Sequence, residues 1–259
     1  MTASTTWRNK GKHVLAGIGA AVFWLFVWQG ISLLVAQELL VPGPAAVLRT
    51  LIGMVGTADF WKAAGMSLLR VMIGFLAAVA TGSVLAGLTV RVAVCPRLFT
   101  PLLKIVRAAP VASFIILALV WIRSSQLPAF IAFLMVVPVV WGNVEKGLRE
   151  IDGGLLEMAQ VYRLSRLRTL LRVKLPCVMP YFLAACTTGL GFAWKSGIAA
   201  EVICRPLMSI GRGLQDAKTY LETPEVFAWT LTVVVLSLLL EKGLMLAAGR
   251  LGRRFNAKL

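Results

Sequence analysis

The chain has 259 residues, of which 59% are hydrophobic and only 15% charged, and its mean hydropathy is +0.83. Its 27 Lys and Arg against 11 Asp and Glu leave a formal charge of +16, but nucleic-acid binders carry such an excess on a polar surface. The apolar share exceeds the roughly 45–50% of soluble domains, so a soluble fold would expose large apolar patches, and the composition points to an integral membrane protein.

A basic N-terminal segment, 1–13, carries Arg8, Lys10, Lys12 and His13 and is expected outside the bilayer. The first span then runs from Val14 to Ala36. It is about twice the length of a signal-peptide core and lacks a clear cleavage site, so it reads as a retained anchor. The connection Gln37 to Gly65 is too long for a turn. Pro42-Gly43-Pro44 opens it, and the amphipathic stretch Ala45 to Val55 is expected at the outer membrane surface.

The second span, Met66 to Val90, contains Gly74, Gly82 and Gly87, which suit close helix packing. The third, Leu98 to Ile122, carries Lys104, Arg107 and Pro110 in its first half. Only Val111 to Ile122 is uninterrupted, so a broken or kinked helix is expected. The fourth span covers Leu127 to Val144, the fifth Pro176 to Ile203 and the sixth Val226 to Ala248. The chain therefore reads as all-α, a polytopic membrane protein with six transmembrane helices in one domain over 14–259.

Charge placement orients these spans. With the N-terminus in the cytoplasm, the inner segments hold sixteen Lys and Arg and the outer segments six: Arg49, Lys62, Arg123, Arg205, Arg212 and Lys218. That split obeys the positive-inside rule and places both termini in the cytoplasm. Seven of the inner charges (Lys146, Arg149, Arg163, Arg166, Arg168, Arg172, Lys174) crowd into the loop 145–175. There Leu156, Ala159, Leu164, Leu167 and Leu171 recur at helical spacing between the arginines, which predicts one or two short amphipathic helices. Periodicity alone leaves two roles open: resting on anionic lipid, or docking a partner.

Catalytic classes find little support. Cys95, Cys177, Cys186 and Cys204 form no CxxC pair, His13 is the lone histidine, and no GxxxxGK[ST] loop is present. No catalytic residue, metal ligand or cofactor is expected.

The cytoplasmic loop resembles the EAA loop of ABC importer permeases, which reads Glu-Ala-Ala, three residues, Gly, nine residues, Ile, one residue, Leu-Pro. Glu157, Ala159, Leu175 and Pro176 match at the correct spacing, Val173 stands for Ile, Met158 for Ala and Arg163 for Gly. Gly takes a positive φ cheaply at a helix end and Arg does not, so either the helix continues through Arg163 or the turn is remodelled. The wider chain resembles the nitrate, taurine and aliphatic-sulfonate branch of these permeases, collinearly from Val41 to Lys242. The matching features are Val41-Pro42-Gly43-Pro44 with Ala46-Val47; Ser67-Leu68, Arg70-Val71 and Gly74-Phe75; Pro101-Leu102-Leu103 with Arg107 and Pro110; and Ala193-Trp194 with Glu201. Ile122-Arg123-Ser124-Ser125 departs from the Phe-Gly-rich turn usual in that branch.

The resemblance implies the type I ABC importer (MetI-like) permease fold. It implies a subunit without enzymatic activity of its own in the inner membrane of a bacterium, paired with a second permease copy. Its expected partners are cytoplasmic ABC ATPase subunits and an extracytoplasmic substrate-binding protein. Glu157, Ala159, Arg163, Leu175 and Pro176 form the expected ATPase-docking element; for Glu157 the alternative is a solvated charge. A short helix fixed between spans four and five would act as the lever that carries ATPase closure into the membrane. The branch favours small oxyanions, taurine and sulfonates as cargo, and a pyrimidine or thiamine precursor is the alternative.

Charges within spans are costly and by default functional. Lys195, about mid-span, costs roughly 2.5–3.5 kcal/mol on the insertion scale. It either faces the aqueous path and attracts an anion, or pairs locally. Arg107 either lines an inner vestibule at the broken span or snorkels to headgroups. Glu201 lies six residues beyond Lys195, about 240° around the helix. It is expected to pair with Arg205 at i+4, with a gating role as the alternative. An intramembrane enzyme lacks a nucleophile–base pair here. A self-contained secondary transporter would show internal repeats and embedded carboxylates, and no convincing repeat is found.

Overall fold

The computed structural model describes the backbone of residues 4–92 and 94–256 and the side chains of 19–92 and 94–249. The side chains of the basic segment 1–13, and those of Arg250, Arg253, Arg254 and Lys258, lie outside the described residues. Every regular element among the described residues is helical: α1 Ser4–Val35, α2 Pro44–Val55, α3 Ala58–Arg91, α4 Val94–Ala108, α5 Val111–Ala118, α6 Leu127–Arg149, α7 Gly153–Val161, α8 Arg166–Thr169, a π-helical turn Leu170–Lys174, α9 Leu175–Cys204, α10 Ile210–Thr219 and α11 Thr223–Asn256.

Among the described residues, four stretches are long and apolar enough to cross a bilayer: Ala58–Arg91, Leu127–Arg149, Arg166–Cys204 and Thr223–Gly249. The pair α4 and α5 makes a fifth if counted as one bent span. The shorter apolar stretch Gly19–Val35 lies where the first of the six expected spans falls. The break in the third span is a 105° bend between Ala108 and Val111. Pro110, at φ −60° and ψ 134°, is extended and caps α5. Its ring would clash with the preceding turn if the helix continued.

The chain divides into two compact units, each described by itself. The first joins residues 1–60 with 213–231. Pro44 starts α2 at a position that needs no N–H. The turn before it is tied to α1, since Trp28 Nε1 donates to the Pro42 carbonyl at 3.0 Å and Ser32 Oγ to that of Val41 at 3.0 Å. Trp28 stacks on Phe227 with ring centroids 5.8 Å apart, and Phe60 on Trp229 at 5.2 Å.

The second unit joins 61–212 with 232–259. Its chief packed pair is α6 with α9, and α3 lies against both. In lipid, helices gain little from apolar burial against one another, so close contact has to supply the attraction. Two glycines of α3 provide it: a Cβ on Gly74 would run into the Ala129 carbonyl, and one on Gly82 would lie 2.9 Å from Val140 Cβ. Val71, Phe75, Ile131, Val136, Val140, Trp141 and Trp194 are buried around these contacts. Helix α9 runs without interruption from the π turn, so Arg166–Cys204 forms one helical stretch of 39 residues. Pro176 offers no N–H to the Arg172 carbonyl, and the widened turn sits where that bond is missing.

Candidate docking and translocation sites

The connection between α6 and α9 contains the expected short helices. Asp152 caps α7, its Oδ1 accepting from Gly154 N at 2.9 Å. Ala159 is buried, and Leu156 and Leu164 are half-buried, so this side of α7 seats the element on its own chain. The outward side presents Leu155, Met158, Val161 and Tyr162, with Val161 80% exposed and Tyr162 74% exposed. The apolar face read from Leu156, Ala159 and Leu164 is therefore the inner one. The residues between them make the exposed apolar surface.

Helix α7 ends in neither of the two ways expected at Arg163. Arg163 itself adopts φ 48°, with its N–H bonded to the Gln160 carbonyl and Leu164 N–H to that of Ala159, both at 2.9 Å. This is the Schellman closure that a glycine normally makes. The helix stops and the left-handed turn is kept, at the steric cost of a Cβ. Among the docking residues read from the sequence, Glu157 and Arg163 are exposed, Ala159 is buried, and Leu175 and Pro176 are half-buried at the start of α9. Beside them the Tyr181 hydroxyl donates to Glu150, tying the end of α6 to the start of α9.

Glu201 is fully buried, and its carboxylate is held from α3. Ser67 Oγ donates to Oε2 at 2.6 Å, and Arg70 Nη1 to Oε1 at 3.3 Å. Gly211 N–H, in the first turn of α10, reaches Oε2 at 3.3 Å. Arg70 also bonds the carbonyls of Leu207 and Met208, and Ile210 N–H bonds Ser67 Oγ at 3.0 Å. The i+4 residue Arg205 meets Glu201 through the backbone, its N–H on the Glu201 carbonyl at 2.9 Å and its own φ at 47°. The sequence reading set Glu201 beside Arg205 at this helix end, and the structure adds Ser67 and Arg70 of α3 as groups that hold its carboxylate. Ser67 and Arg70 stood in the sequence as part of the Ser-Leu-x-Arg-Val match, which was the available signal for their role.

Arg107, at the end of α4, is exposed, and its Nη2 donates to the Pro138 carbonyl at 2.5 Å. Gly142, one turn on, leaves room for the guanidinium, since a Cβ there would lie 2.9 Å from Nη2.

Lys195 is exposed and lines a cavity of about 450 Å³ between α9 and α11, with Thr187, Thr188, Trp194, Ser237 and Glu241 also in its walls. Trp194 is fixed by its indole N–H on the Val233 carbonyl at 3.1 Å. Neither Arg107 nor Glu201 lines this cavity. The three charges read together from the sequence thus occupy three separate places. Glu241 was not singled out in the sequence, because only its position across from Lys195 marks it. No group of His, Cys, Asp and Glu suited to a metal ion is found among the described residues.

Comparison with known proteins gives these arrangements a context. The family model for the binding-protein-dependent transport system inner membrane component matches residues 71–256. The taurine transport system permease protein TauC of Escherichia coli is 27% identical over 254 residues, covering 95% of this chain and 92% of the relative. The bicarbonate transport system permease protein CmpB of Synechococcus elongatus is 27% identical, over 91% of this chain and 88% of the relative. The nitrate import permease protein NrtB of the same organism is 26% identical, over 75% of this chain and 73% of the relative. A crystal structure of an amino acid ABC transporter with histidines superposes with a TM-score of 0.58 at 14% identity, covering 73% of this chain and 90% of that chain, which indicates a shared fold.

Proposed function

The chain belongs to the family of binding-protein-dependent transport system inner membrane components, and from that premise we propose how its parts divide the work. It is a permease subunit of an ABC importer, a transporter component rather than an enzyme. In this reading ATP is hydrolysed in separate ATPase subunits on the cytoplasmic side. A binding protein delivers solute from the other side, and a second copy of the chain completes the path. Both termini and the α6–α9 connection face the cytoplasm, in keeping with the excess of Lys and Arg in those segments.

The observation that carries this reading is the placement of α7. It is seated by Ala159, ended at Arg163 and followed by one helical stretch from Arg166 to Cys204. A displacement of α7 would pass through the short turn 162–165, which is held by the hydrogen bonds of Arg163 and Leu164 back to α7. It would then run along one helical stretch to mid-membrane positions of α9, including Lys195. The exposed Leu155, Met158, Val161 and Tyr162 supply the apolar surface for a groove on the ATPase, with Glu157 and Arg163 at its rim. Leu175 and Pro176 set the angle at which the stretch enters the membrane.

The solute is a small molecule carrying an anionic group. Relatives named for taurine, bicarbonate and nitrate support this, as does Lys195, a cation exposed to a cavity within a span. Affinity purification of the tagged chain from its native membranes tests the assignment. The wild type is expected to bring down an ABC ATPase, and Val161→Glu with Tyr162→Glu to lose it while remaining membrane-inserted. Unchanged association in that variant, or transport by the chain alone without ATP, would overturn the reading.

A further inference from the structure

Helix α4 presents three different faces. Cys95, Phe99, Leu103 and Val106 fall within about 80° of one another around the helix and are buried or half-buried. On this side Phe99 packs edge-on against Trp141 of α6, with ring centroids 5.9 Å apart. Val94, Leu98, Leu102 and Ile105 fall within a second sector of about 80°, and each is more than half exposed. Arg97 and Lys104, within about 20° of each other, are exposed on a third side. Neither is paired among the described residues, and α4 carries no Asp or Glu.

The course of the helix accounts for these faces. The 105° bend at Pro110 sets α4 nearly square to α5, which packs on α6 and α9. The contacts of α4 agree. From Phe99 to Arg107 it advances about 12 Å, while their partners Trp141 and Pro138 lie only about 4.5 Å apart along α6. A helix running alongside α6 would advance equally on both, so α4 crosses α6 steeply. Upright, α4 would carry Arg97 and Lys104 to different depths of the hydrocarbon, where charge is costly. Lying across, it holds both at one level.

We propose that α4 lies along one boundary of the bilayer, the cytoplasmic one in the orientation given above, and binds anionic phospholipid. Its apolar stripe sits among acyl chains, and Arg97 and Lys104 meet headgroup phosphates. A basic face beside an apolar one is what such a surface requires, and no acid on α4 repels the headgroup. A second copy of the chain fits less well, because two α4 helices meeting face to face would bring like charges together.

The test uses the full-length chain in nanodiscs of phosphatidylcholine, with a coumarin amino acid in place of Leu98 or of Ile105. Trace phosphatidylglycerol or phosphatidylcholine, carrying a nitroxide at one of several depths on its acyl chain, serves as quencher. Both labels should report the same shallow depth and stronger quenching by phosphatidylglycerol. Arg97→Gln and Lys104→Gln should each lower that preference by up to about fivefold. The comparison of the two lipids on the parent sequence stands even if a variant fails to fold. Label depths about 10 Å apart would mean an upright helix, and labels quenched by neither lipid would mean a protein cover; either result overturns the proposal. Equal quenching by the two lipids, or a preference indifferent to both substitutions, would overturn it as well.

Discussion

Arg70 on α3 and Glu201 on α9 stand 131 positions apart and meet at 3.3 Å, where the carboxylate is fully shielded from solvent. The pair gathers Ser67, the carbonyls of Leu207 and Met208, and the first turn of α10 into one network. Desolvation makes such a pair a modest net contributor, but a broken one leaves a buried charge unanswered. Arg70→Met is therefore expected to cost about 3–5 kcal/mol. Glu201→Gln should cost less, because a side-chain carbonyl still accepts from Ser67 or Gly211. Thermal unfolding of the purified chain in detergent would rank the two, and an Arg70→Met variant as stable as the parent would show that the network carries little.

Arg163 at φ 48° closes α7 where a residue without a Cβ would do so more cheaply. The left-handed conformation costs an L-residue roughly 1–2 kcal/mol, partly offset by the larger unfolded-state entropy of Gly. Arg163→Gly should raise stability by up to about 1 kcal/mol and keep ATPase association. Arg163→Pro cannot adopt a positive φ and should lose both. Paired measurements of melting temperature and ATPase co-purification separate the turn from the guanidinium. If Arg163→Gly abolishes association while folding normally, the charge rather than the turn is what the partner reads.

Gly74 and Gly87 lie on the same helix and predict opposite outcomes. A Cβ on Gly74 meets the Ala129 carbonyl, a backbone atom that cannot move aside, whereas one on Gly87 meets nothing within 4 Å. Gly74→Ala should separate α3 from α6 and lower stability by at least the roughly 1–3 kcal/mol of an overpacked core. Gly87→Ala should be neutral or stabilising by about 0.5–1 kcal/mol through helix propensity. Equal tolerance of both substitutions would contradict the packing of α3 on α6.

Lys195 separates transport from stability. Its removal relieves roughly 2.5–3.5 kcal/mol of membrane-insertion cost and breaks no bond among the described residues. Lys195→Met should fold at least as well as the parent and import poorly. ATP-dependent uptake by cells carrying the complete system is the measurement, with the melting temperature as control. A destabilised variant with normal uptake would place Lys195 in packing rather than in the path.

The elements legible from the chain itself were those set by local chemistry. Runs of apolar residues mark α3, α6, α9 and α11 because a bilayer demands length and apolarity from each helix alone. Pro110 marks the break between α4 and α5, and Pro42-Gly43-Pro44 the entry to α2, because proline forbids particular backbone bonds wherever it stands. The family was legible because several short motifs occur in one order. Tertiary structure alone decided which residue answers Glu201, which side of α7 faces its own chain, and what lies opposite Lys195. The local expectation for Glu201 was Arg205, four residues away, and the structure adds Ser67 and Arg70 of α3 as groups that hold its carboxylate. Spacing fixes which residues share a helix face, but the packing of one helix on another decides where that face points. Arg163 shows the same limit in the backbone: sequence disfavours its conformation, and the hydrogen bonds from Arg163 and Leu164 back to α7 hold it there.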